Sequence, residues 1–155
     1  MFPQNSLCDL IVRGSKEELT ARLTVLKKEL PYSKDHPSEE LGKVLESVIK
    51  EKIIDHLVVK NTKQKKLFFG RMFERCFELG FRIDDSSKDV YVVDEQNNRM
   101  SEDDMDDHVA ALLWNITMVV PGFYQEDTDL MEFFEQKITE FSERAAASPR
   151  PSSAV

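Results

Sequence analysis

Residues 65–81 read KKLFFGRMFERCFELGF, and this stretch decides what kind of fold the chain builds. Leu67, Phe68, Phe69, Met72, Phe73, Cys76, Phe77 and Leu79 cover well over half the circumference of a helix. The segment therefore predicts a helix that is mostly buried or lies beneath a binding groove. Gly80 suits its C-terminal cap. Such a helix needs apolar faces around it, and its neighbours in the sequence supply them.

Upstream, Lys60 to Lys66 holds four lysines and reads as a solvated basic joint. Before it, Pro37–Ser38 opens a helix whose one side carries Leu41, Leu45, Val48, Lys52 and the pair Ile53–Ile54, with an extension to about Val59. Residues 31–37 read as a polar turn. Ser15 and Glu18 form a capping box for an earlier helix with Leu19, Leu23, Leu26 and Leu30 on one face, ended by Pro31. Residues 5–13 read as a short helix or strand.

Downstream, residues 81–100 have a polar centre, the β-branched run VYVV and an Asn pair, which fits an irregular hairpin or a long loop with one strand. Ser101 then caps the acidic turn EDDMDD, where negative charge complements the positive end of a helix. That helix buries Met105, Val109, Leu112, Leu113, Ile116 and Val120 until Pro121–Gly122 breaks it. A last helix starts at Asp127 or Thr128, with Leu130, Phe133, Phe134, Ile138 and Phe141 inside. The Ala/Pro/Ser composition after Ser142 predicts a disordered tail.

These elements predict an all-α, single-domain helical bundle over 1–143 with a tail over 144–155. An α+β domain with a small hairpin near 81–94 is the alternative architecture. At 155 residues, 41% hydrophobic and 32% charged, the chain has ordinary globular composition, and its 5 glycines argue against a turn-rich barrel or a phosphate loop.

A net charge of −8 disfavours nucleic acid and anionic membrane surfaces as partners. Cys8 and Cys76 form neither a disulfide framework nor a zinc pattern. The N-terminus lacks a signal peptide, and no window is apolar enough for an integral membrane segment. A reducing, cytoplasmic setting is the expectation.

Catalytic chemistry is faint. His36, His56 and His108 are far apart and sit in no recognisable motif, and Cys76 lies on an apolar face where a thiol behaves as a small hydrophobe. Asp84 to Glu95 has the length of a calcium loop, but Lys88 replaces a ligand and Asp89 stands where the turn glycine belongs. No enzyme activity, metal or cofactor is expected. Ten phenylalanines in a small helical domain instead suggest a surplus of rings that forms a groove for a partner's amphipathic helix.

FFGRMFERCFELGF, residues 68–81, resembles the first homology motif of the Bcl-2 family, in which an aromatic residue precedes Gly-Arg and a Phe-rich helix ends in glycine. Phe69 stands where Trp is usual and is followed by Gly70 and Arg71. Phe68 replaces the usual Asn, and the interval to Gly80 carries one extra residue. RMSEDDMDDHVAALLW resembles the next core helix of that family, and Trp114 with Gly122–Phe123 is a loose version of its second motif.

The resemblance spans about residues 65–135 and implies an all-helical fold and an anti-apoptotic regulator that sequesters the amphipathic helix of a pro-apoptotic protein. A strand at 90–93 departs from that fold. The missing C-terminal membrane anchor departs too, as in divergent viral members. The site it implies comprises Phe69, Met72, Phe73, Phe77 and Val48 as pocket residues, with Gly70 for close backbone approach and Arg71 for a ligand aspartate. The competing reading of Arg71 is an intramolecular salt bridge at a helix start. The competing function is an unrelated helical adaptor or oligomerisation module, with a homodimer as its simplest form.

Overall fold

The computed structural model describes residues 6–30, 38–57, 61–106 and 108–147. The turn expected at 31–37, the extension to Val59 and the tail beyond 147 lie outside them. Seven α-helices and one two-stranded antiparallel sheet make up the described chain.

Several helices begin where a side chain satisfies their orphan amides. α1 (Leu7–Arg13) starts at Ser6, whose hydroxyl accepts from the Asp9 N–H. α2 (Lys16–Glu29) starts at the Ser15–Glu18 capping box expected from the sequence. Between them Gly14 is required by close approach, since a Cβ there would lie 2.7 Å from the Leu10 carbonyl oxygen. Leu19, Leu23 and Leu26 form the buried stripe of α2. α3 (Ser38–Lys52) follows and passes into a short 3-10 turn, Ile54–Leu57, that buries Leu57.

The lysine run corrects one expectation. α4 (Thr62–Glu78) begins inside it, capped by Asn61, with Asn61 and Gln64 forming a second capping box. Lys63, Lys65 and Lys66 therefore belong to the first turns of α4 and not to a connector. At the other end, Gly80 adopts φ 103° and donates to the Phe77 carbonyl, which turns the chain into the sheet.

The hairpin kept as the alternative for 81–94 is present. β1 (Phe81–Ile83) pairs with β2 (Val90–Val92) in the register Phe81–Val92, Arg82–Tyr91 and Ile83–Val90. Asp84 organises the connection, its carboxylate accepting from the Ser86 and Ser87 amides at 2.9 and 3.1 Å. Among the described residues no group of acids, histidines and cysteines is arranged to hold a metal ion.

The single helix expected over 101–120 is two. α5 (Glu102–Asp106) is followed by His108 in extended conformation, and α6 (Val109–Val119) starts afresh. Aspartate competes for backbone hydrogen bonds inside a helix, and the His108 imidazole Nδ1 takes over as a cap, accepting from the Ala110 N–H at 3.0 Å. Pro121 does not break α6 abruptly, because the chain winds through a 3-10 turn, Val120–Phe123. α7 (Thr128–Ala147) then runs past the 143/144 boundary set from composition.

α6 is the central element, packed against α2, α3, α4, α5 and β1. Ala110, Leu113 and Ile116 are wholly buried there, and Leu113 and Ile116 each contribute about 1.5–3 kcal/mol of apolar transfer free energy. On one flank the ring of Trp114 stacks on Phe81 at 4.6 Å and approaches Phe141 at 4.9 Å, which seats the hairpin and α7 on the same aromatic layer. No helix among the described residues is long and apolar enough to cross a membrane.

Candidate functional site: a groove between α4 and α7

α4 and α7 lie side by side and run in the same direction. The Thr62 hydroxyl at the start of α4 approaches the Asp127 carboxylate at 3.5 Å, and Lys66 pairs with Asp129 at 2.8 Å. One turn further on, Gly70 faces Phe133 and Lys137. Near the ends, the ring of Phe77 meets that of Phe141 at 5.8 Å and the Arg144 guanidinium at 3.9 Å.

A surface groove of about 520 Å³ runs between the two helices. Its floor is apolar, made by Leu67, Gly70, Phe73, Phe133 and Phe141. Leu67 is 69% exposed, the most exposed large apolar side chain among the described residues. Gly70 keeps the floor low: a Cβ there would meet the Phe133 Cζ at 3.7 Å, which is ordinary contact, whereas a longer side chain would rise into the groove.

Charged side chains form the rim. Lys63, Lys66, Arg71, Lys137 and Arg144 stand against Glu74 and Glu140. Arg71 Nη1 donates to Glu74 at 3.0 Å and to Glu78 at 3.4 Å, and its Nε donates to the Val12 carbonyl at 3.4 Å. The intramolecular salt bridge expected as the competing reading of Arg71 is thus present, in the middle of α4 and not at a helix start. Lys137 pairs with Glu140 at 3.1 Å, and that hydrogen bond holds the Glu140 carboxyl below its ordinary pKa.

The side chains singled out in the sequence divide sharply. Gly70, Arg71 and Phe73 line the groove. Phe69 and Met72 are wholly buried and offer a partner no surface, because the side of α4 that carries them packs into the core. Phe69 meets Phe134 at 5.1 Å and Tyr124 at 5.7 Å. Val48 is half-buried on α3 and is not part of the groove.

Phe77 is covered by the chain's own arginines, with Arg82 at 3.6 Å and Arg144 at 3.9 Å from its centroid. Burial, and then the neighbouring Arg144, lower the pKa of Arg82. The expected surplus of rings is correspondingly small: Phe68, Phe69, Phe73, Phe81, Phe134 and Phe141 are buried in the core.

Groove residues missed in the sequence are Lys63, Lys66, Leu67 as an exposed anchor, Glu74, Lys137, Glu140 and Arg144, with Phe133 and Phe141 expected only as core. The periodic signal was present, since 63, 67, 70, 71 and 74 share one face of α4 and 133, 137, 140, 141 and 144 share one face of α7. Nothing local, however, reveals that these two faces meet.

Among the described residues, the cysteines and histidines are kept apart. Cys8 and Cys76 are buried, and burial raises each thiol pKa to about 12. His56 and His108 sit in separate recesses, and the Nδ1 of His108 is engaged as a helix cap. No protein-family model, curated protein or solved structure matches the chain.

Proposed function

We propose that the chain is a non-enzymatic protein-binding module that captures an amphipathic helix in the groove between α4 and α7. The observation that carries this reading is a groove about three helical turns long with an apolar floor of about two turns, with Leu67 exposed on it and Gly70 adding no side chain beside Phe133. A helix presenting apolar anchors three and four residues apart fits such a trough. The Gly70–Arg71 pair of the Bcl-2-like motif lies in this groove. That placement supports the narrower form of the proposal: a cytoplasmic regulator of apoptosis that sequesters the ligand helix of a pro-apoptotic partner.

The test is fluorescence anisotropy with labelled peptides that carry the ligand helices of pro-apoptotic proteins. Saturable binding is expected, lost in Gly70→Glu while the thermal melt stays within a few degrees of the parent. Flat isotherms across the peptide panel would remove the apoptotic reading.

A further inference from the structure

We infer that the helix taken up by the groove is acidic on its polar flanks and comes from another protein. The inference rests on the helix-capture reading above and adds the chemistry of the partner. Its basis is a reversal of charge. The chain carries 21 Lys and Arg against 29 Asp and Glu, yet five of the charged residues lining the groove are cationic and only Glu74 and Glu140 are acidic.

The cations are disposed along both walls. Lys63, Lys66 and Arg71 follow one another up α4, and Lys137 and Arg144 follow up α7. A helix lying along the apolar floor would place its two flanks against these walls, so acidic residues on both sides of its apolar stripe would meet opposite charge.

The intramolecular pairs do not compete strongly. Lys66–Asp129, Arg71–Glu74, Arg71–Glu78 and Lys137–Glu140 are partly exposed surface pairs, a class worth about 0–1 kcal/mol each. A bound helix would displace water from the groove, lower the local dielectric and strengthen the exchanged pairs. A basic helix would meet the opposite outcome, with like charges facing across both walls.

A second copy of the chain is a poorer occupant. The helix with the largest share of acids among the described residues, α5, has 5 residues and is about 7.5 Å long, against about 16 Å of groove from Lys63 to Glu74, and the longer α3 and α7 mix their acids with Lys43, Lys50, Lys52, Lys137 and Arg144.

The experiment uses the full chain and two designed peptides of roughly 18 residues, long enough to outspan the groove. They share one Leu/Phe stripe and differ only in Glu or Lys on the flanks. Anisotropy is measured at low and high salt. The Glu-flanked peptide is expected to bind about tenfold more tightly at low salt, with the gap narrowing as salt rises. Lys66→Gln with Lys137→Gln should erase most of that preference, and Lys66→Glu with Lys137→Glu should reverse it, each variant being checked for an unchanged circular dichroism spectrum.

Equal binding of the two peptides overturns the acidic-flank inference and leaves helix capture standing. A preference that survives both double variants overturns it too, because the rim would not be its source. No binding by either peptide removes helix capture and this inference together. A concentration-dependent dimer in sedimentation, dissolved by Leu67→Glu, would assign the groove to a second copy and overturn the inference.

Discussion

The Arg75 guanidinium donates from Nε to the Ile11 carbonyl oxygen at 2.9 Å, joining α4 to the last turn of α1. Its Nη2 also donates to the Gly14 carbonyl, and its Nη1 pairs with Glu78 at 2.9 Å. The last carbonyls of a helix have no partner within it, and here a side chain that is 5% exposed supplies one. Arg71, one turn earlier, is 32% exposed and reaches the groove. Two arginines four residues apart thus serve different ends.

Arg75→Met should therefore cost about 2–4 kcal/mol, since it leaves buried carbonyls without a donor and takes from Glu78 the closer of its two arginine partners. Urea unfolding measures the loss, and hydrogen exchange should show the amides of α1 opening first. Arg71→Ala should cost under about 1 kcal/mol, while weakening capture of an acid-flanked helix several-fold. Equal destabilisation by the two substitutions would contradict this division.

Leu67 and Phe69 make a second contrast, between exposed floor and core. Phe69→Ala removes a wholly buried ring and should cost about 3–5 kcal/mol. Leu67→Ser removes an exposed side chain and should change stability by no more than about 0.5 kcal/mol, yet reduce peptide affinity by about tenfold. Denaturation and anisotropy on the same preparations separate the two effects.

His108 gives the fold a dependence on pH. Burial, then Lys27 and Lys16, lower its pKa below the ordinary histidine value, and a proton on Nδ1 would end its acceptance from the Ala110 N–H. The unfolded chain takes up that proton near pH 6.5, whereas the folded chain resists until lower pH. The unfolded state therefore binds more protons in that window, and stability falls as pH drops below about 6.5. Asn caps a helix without titrating, so His108→Asn should lose less stability than the parent between pH 7 and pH 5. Parallel pH profiles of the two melting temperatures provide the check.

Gly80 tests the hairpin. A Cβ at this position would lie 2.3 Å from the Val93 carbonyl oxygen, at a φ of 103° that other residues rarely adopt. Gly80→Ala should cost about 1–3 kcal/mol from backbone strain, with further loss from the clash. By contrast Gly70→Ala meets only ordinary contacts and should stabilise α4 by about 0.5–1 kcal/mol through helix propensity. Chemical denaturation of both variants should give opposite signs.

What the sequence determined by itself is local. The Ser15–Glu18 box, the Leu19, Leu23 and Leu26 stripe and the Gly80 cap follow from contacts within one turn, and each was legible because 3.6-residue periodicity and capping need no distant partner. Even the start of α4 was written there in Asn61 and Gln64, beneath a lysine run whose charge suggested a connector.

Only the tertiary structure decided which faces meet. Helical spacing marks Phe69, Met72 and Phe73 alike as apolar, but the fold encloses the first two completely, Phe69 against Phe134 and Tyr124, and leaves only an edge of Phe73 on the groove floor. The same spacing cannot say that Arg75 would find carbonyls more than sixty residues earlier in the chain while Arg71 reaches a rim. The groove is a relation between α4 and α7, created by the aromatic layer that holds them parallel, and such a relation has no signature in either helix alone.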